Sequence, residues 1–95
     1  MTEFPLSRLM TREAAEGRVA RGIAGGFVYH VLTLSGDFFE YDAESFEHAC
    51  SCAMIWSNPE THRSTDSVAV REVRKDGSLK AAAKYFSYAD HAEAS

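Results

Sequence analysis

"FVYHVLTLSGDFFEYDAESFEHACSCAMIWS", residues 27–57, contains the change of hydrophobic period on which the fold depends. Its first part, 27–34, is rich in β-branched and aromatic residues and follows glycine punctuation at Gly25 and Gly26, which predicts a strand. Phe27, Tyr29 and Val31 fall on one side of that strand, and Val28, Leu32 and Leu34 on the other. Apolar residues on both faces predict a central strand, covered twice. Ser35-Gly36-Asp37 is a tight turn, and 38–41 returns as the second arm of a β-hairpin.

The period then changes from two to about 3.6. Asp42 is the expected N-cap, Glu44 lies in the first turn, and Tyr41 and Phe46 have the spacing of a hydrophobic staple. The helix is expected over 43–57, stopping before Asn58-Pro59 because proline disfavours helical backbone in the residue before it. On a helical wheel Phe46, Ala49, Cys50, Ala53 and Trp56 share one face. The alanines allow close approach to a sheet, with Phe46 and Trp56 filling the two ends. Cys50 reads as a small buried hydrophobe, and Ile55 points away from the core.

Outward from this stretch the pattern continues. Thr11 caps a short helix running through Glu16 or a little beyond, and Gly22, Gly25 and Gly26 form a joint after it. That joint lacks both the Lys-Ser/Thr of a P-loop and the GxGxxG spacing, so it does not read as a phosphate cradle. Residues 58–66 are a polar loop and 67–73 a third strand, followed by a Lys75-Asp76-Gly77 turn. Residues 78–88 satisfy both periods; the turn before them and the aromatic "YFSY" favour a strand over a helix. The predicted fold is α+β: a small antiparallel sheet in ββαββ order, one main helix packed on one face, and a short N-terminal helix. Residues 1–95 form one domain, with 1–10 and 89–95 loosely ordered.

Composition excludes more than it assigns. No apolar run approaches the ~18 residues that span a membrane, and the N-terminus lacks a secretory pattern. A Cys50–Cys52 disulfide would strain regular backbone, so a reducing, cytoplasmic setting is expected. No cofactor is implied. His48 and Cys52, four apart on a helix, are half of a metal site at most; His30, His62 and His91 stand at no recognised ligand spacing. A reactive thiol at Cys52 assisted by His48 is disfavoured by the acidic surroundings. No GxSxG, HExxH or kinase-type motif is present, so an enzyme is not expected.

Charge is the sharper signal. The net charge is -4, yet no Lys or Arg occurs between Gly22 and His62. The basic residues all lie in the flanks. Internal neutralisation is one reading of this segregation. The other is a surface that steers a charged partner. On that reading Asp37, Glu40, Asp42, Glu44 and Glu47 contact another protein with a basic surface, and the chain is a small acidic binding module, a regulator or inhibitor. Phages and other mobile elements use compact acidic proteins of this kind against nucleic-acid-handling machinery; the comparison rests on size and charge, and no motif names a family. A nucleic-acid binder acting through the basic second hairpin ranks behind it, because the chain as a whole is acidic. A metal- or thiol-dependent protein using His48 and Cys52 is the third reading, and pairing of two copies through an open sheet edge is a further expectation.

Overall fold

The computed structural model describes residues 6–87. Helices α1 (Leu6–Leu9) and α2 (Arg12–Ala20) precede strands β1 (Phe27–Thr33) and β2 (Phe38–Ala43). Helix α3 (Phe46–Ser57), strand β3 (Thr65–Glu72) and strand β4 (Lys84–Ser87) follow. The sheet is antiparallel throughout, in the order β2-β1-β3-β4. This is the expected α+β arrangement. β1 is central, and each of its faces is buried under different elements.

Register sets the two faces. Tyr29 pairs with Tyr41 and Val70, and Val31 with Phe39 and Val68. These residues point toward α3, whose Ala49 and Ala53 are fully buried against Tyr29, Val31, Val68 and Val70. Alanine at both contact positions brings the helix backbone close to the sheet, as the wheel predicts. On the reverse face Val28 packs with Leu9, Val73 and Leu79, joined by the half-buried Ile23 and Phe38. The N-terminal helices and the 73–79 turn therefore cover the side that α3 leaves open.

Three local expectations need correction. Helix α3 begins at Phe46, and its N-cap is Ser45, not Asp42: the Ser45 hydroxyl accepts from the His48 N–H at 3.0 Å. Strand pairing outcompetes the earlier cap, because β2 runs on to Ala43, which is paired with Phe27 and buried. Second, Tyr41 and Phe46 form no staple. Tyr41 stacks on Trp56, while Phe46 tilts against Phe27 and lies 45% exposed instead of closing one end of the core. Third, Cys50, expected to be buried, is only partly so, and Cys52 is partly buried against the same α3-side core.

Thr11 caps α2 as expected, accepting from the Ala14 N–H at 3.1 Å. Within the lead-in read as irregular, Leu6–Leu9 form one helical turn. The segment that satisfied both periods resolves as a strand from Lys84 onward, reached through a Val73–Leu79 bridge. Residues 1–5 and 88–95, which include most of the ends expected to be loose, lie outside the described residues.

Candidate partner-binding surface

The five carboxylates singled out in the sequence have different surroundings. Glu40 is the most enclosed, with a side chain 19% exposed. Its Oε1 accepts from Arg18 Nε at 3.0 Å and Nη2 at 2.9 Å, and lies 2.8 Å from His30 Nε2. Its Oε2 accepts from Arg21 Nη2 at 2.9 Å. Asp42 takes a two-pronged contact from Arg21, at 3.0 and 2.9 Å. Asp37 sits exposed in the β1–β2 turn and accepts from the Ser35 hydroxyl. Glu44 and Glu47 are exposed at the start of α3. The structure thus separates two inward-tied carboxylates from three outward ones.

Glu40 begins a polar line across the reverse face of the sheet. His30 on β1 pairs with Glu40 on β2 and with Ala69 on β3, which pairs with Tyr85 on β4. Arg71 Nη1 lies 3.4 Å from His30 Nδ1, and Arg71 Nη2 donates to the Tyr85 hydroxyl at 3.1 Å. A guanidinium can only donate, so His30 Nδ1 accepts and its Nε2–H points at Glu40. Burial lowers the His30 pKa, and Glu40 offsets this only in part, so the ring is neutral. Burial acts to raise the Glu40 pKa, but hydrogen bonds from His30 and Arg18 outweigh it and bring the value down to about 2. Arg18, itself fully buried, also donates to the Leu9 and Gly77 carbonyls at 2.8 and 3.1 Å. A cleft of about 580 Å³ opens beside this network, between the N-terminal helices and the β1–β2 hairpin. Its polar groups are largely engaged with one another, which makes the network a fastening between α2 and the sheet.

The opposite side carries a different surface. Tyr29, Tyr41, Trp56 and His62 form a column of rings, with successive centroids 5.2, 5.4 and 4.2 Å apart. Phe39 joins it at 6.4 Å from Tyr41 and is 46% exposed. Tyr29 is buried at the inner end, where burial and the neighbouring Cys52 thiol push its hydroxyl up to about 12. Tyr41, Trp56 and His62 are half-buried, and Ile55 next to Trp56 is 54% exposed. The result is a seam of partly exposed rings between the β2 edge and the C-terminal half of α3. The sequence reading assigned Trp56 to the core and Tyr41 to a staple, and so missed it. The available signal was the alternation of Phe39 and Tyr41 on the returning arm of the hairpin.

The remaining candidates disperse. His48 Nδ1 accepts from the Glu44 N–H at 3.1 Å, a capping contact at the exposed start of α3, while Cys52 faces the sheet. Among the described residues no group of three or more His, Cys, Asp and Glu side chains could hold a metal ion. No helix of the described residues is long and apolar enough to cross a membrane. Several basic residues of the second hairpin are already engaged: Arg71 is buried on Tyr85, Lys80 pairs with Glu72, and Lys84 lies over the Phe46 and Phe86 rings. No known protein-family model, curated protein or solved structure matches the chain.

Proposed function

We propose that the chain is a small protein-binding module that engages a basic surface on its partner through the β2–α3 side. One observation carries this reading: exposed Glu44 and Glu47 at the start of α3, exposed Ile55 near its end and exposed Phe39 on β2 all lie in a stretch of chain that contains no Lys or Arg. Aromatic and aliphatic groups supply contact area, and the carboxylates around them steer a cationic partner and reject an anionic one. Glu40 and Asp42, tied to Arg18 and Arg21, add to the negative field more weakly because their charge is locally balanced.

The test is capture of a stoichiometric partner from the native host by the tagged protein and by a Glu44→Lys/Glu47→Lys variant. Loss of the partner with an unchanged melting temperature supports the reading. Equal capture by both proteins removes Glu44 and Glu47 from the interface. Salt-sensitive retention of nucleic acid in place of a protein overturns the assignment.

A further inference from the structure

The cleft of about 580 Å³ between the N-terminal helices and the β1–β2 hairpin is lined by charges that the fold does not use. Arg18 and Glu40, in its wall, are committed to each other. Arg21 directs Nε and Nη2 to Asp42 and Glu40, but among the described residues its Nη1 meets no acceptor. Arg8, in the last turn of α1, is exposed and forms no ion pair among the described residues. Asp37, in the hairpin turn, accepts from the Ser35 hydroxyl through Oδ2; among the described residues no side chain donates to Oδ1. Arg8 and Asp37 line the same cleft without pairing with each other. Once the internal contacts are counted, the cleft keeps Arg8, one edge of Arg21 and one carboxylate, a set that suits a ligand carrying both signs of charge. Ala14 and Phe38 add apolar surface to the same lining.

Gly17 is a second, independent observation. It lies inside α2 and in the cleft wall, at a position where glycine is a poorer helix former than alanine. Packing does not require it: a Cβ built there would meet only Arg21 Nη1, at 3.8 Å, an ordinary contact. What the missing side chain provides is open space directly beside the unused donors of Arg21. We propose that this cleft binds a small zwitterion of dipeptide size. Its carboxylate sits on Arg8 and Arg21 Nη1, its ammonium on Asp37, and its apolar middle against Ala14 and Phe38. The volume lies within the range of small-molecule sites, roughly 300–1,000 Å³, and Arg8 offers a full guanidinium fork to a carboxylate. Two residues span about 7 Å from end to end, so a dipeptide holds its charges apart and can reach both walls. A free amino acid carries both charges on one carbon and suits the cleft less well. The site lies at the reverse face of the sheet and is independent of the protein-binding reading.

The probe is alanyl-leucine, titrated at low salt into isotope-labelled protein and followed by the NMR signals of the Gly17, Gly36 and Asp37 amides. Beside it run N-acetyl-alanyl-leucine, which lacks the cation, and alanyl-leucinamide, which lacks the anion. Saturable shifts with the dipeptide and clearly weaker binding of both blocked forms are expected. Arg8→Gln and Asp37→Asn should each weaken binding about two- to fivefold, the scale of one exposed ion pair. Both residues are exposed, so both variants should melt close to wild type. Gly17→Leu should fill the cleft and abolish binding while melting no lower than wild type, because leucine favours the helix. Should Gly17→Leu lose stability instead, Arg8→Gln and Asp37→Asn decide the matter alone. The absence of a saturable shift, equal affinity for either blocked form, wild-type affinity in both charge variants, or undiminished binding by a folded Gly17→Leu variant overturns the inference. None of these outcomes involves the host partner, so the binding-module reading stands or falls separately.

Discussion

Arg18 and Glu40, on α2 and β2, meet over the reverse face of the sheet with both Arg18 Nε and Nη2 on the same carboxylate oxygen, at 3.0 and 2.9 Å. The guanidinium is completely buried, and its remaining hydrogen bonds go to the backbone carbonyls of Leu9 and Gly77. One side chain therefore ties α1, α2, the β2 strand and the 77 turn together. Much of the charge segregation seen in the sequence is resolved here: the basic N-terminal flank closes onto the acidic strand.

Removing Arg18 takes the buried cation from Glu40 Oε1, leaving that carboxylate only Arg21 and the His30 N–H, and removing Glu40 leaves the Arg18 charge buried without a carboxylate. Arg18→Ala should lose roughly 3–5 kcal/mol of stability in a chemical denaturation series, the range for breaking a buried ion pair. Replacing both groups with apolar residues, Arg18→Met with Glu40→Leu, should recover a substantial part of that loss, because two desolvated charges disappear together. A double variant as unstable as Arg18→Ala would show that the two backbone carbonyls, not the ion pair, are what Arg18 chiefly serves.

The same network makes the fold sensitive to acid. The His30 pKa is depressed from 6.5, so its contribution is present above that pH and declines as pH falls below it, where the unfolded chain takes up a proton that the folded one refuses. The Glu40 pKa is depressed from 4.5 to about 2, so its contribution is present above 4.5 and is lost as pH falls toward 2. Both act in the same direction, and the Glu40 share is up to roughly 3 kcal/mol. Unfolding free energy measured from pH 8 downward should fall in two stages, below about 6.5 and then below about 4.5. His30→Gln should abolish the first stage; a first stage that survives in that variant belongs to another group.

Helix α3 offers a direct contest between two caps. Ser45→Ala should destabilise by about 0.5–2 kcal/mol, the usual cost of losing an N-cap hydroxyl. Asp42→Ala removes only a partly exposed contact with Arg21, worth ~1 kcal/mol or less at such exposure. Thermal melts of the two single variants settle the order. If Asp42→Ala is the more damaging, the helix starts earlier than Phe46.

These contrasts show which parts of the structure could be read from the sequence. The centrality of β1 was legible because Val28 and Leu32 on one face and Tyr29 and Val31 on the other are properties of one continuous segment. The start of α3 was misread because Asp42 and Ser45 are both good caps, and the choice depends on Ala43 pairing with Phe27, sixteen residues earlier in the chain (43 − 27). The network of Arg18, His30, Glu40 and Arg71 was hidden for the same reason: local periodicity does not specify which distant charges meet. The outward carboxylates Glu44 and Glu47 were identifiable, whereas the ring seam depends on α3 lying beside the β2 edge, which only the assembled layers reveal.

The close approach of α2 to the 77 turn provides the most local test of the N-terminal layer. Gly77 has φ +88°, a left-handed backbone that side-chain-bearing residues seldom adopt, and it accepts from Arg18 Nη1 through its carbonyl. A Cβ built there would lie 2.0 Å from the Ala15 carbonyl oxygen and 2.9 Å from Val19 Cγ2. The nearest obstacle is helix backbone, which cannot rotate away as a side chain could, so α2 itself must shift. Gly77→Ala therefore combines the left-handed penalty of about 1–2 kcal/mol with a clash that pries α2 from its seat. The expected result is destabilisation greater than that penalty alone, with hydrogen exchange accelerating first in α2 and remaining slow in β1 and β3. Gly36, also left-handed at φ +92° but with open space around its Cβ position, is the control: Gly36→Ala incurs the backbone penalty without the clash. Equal losses in the two variants would mean that α2 does not rest against the turn.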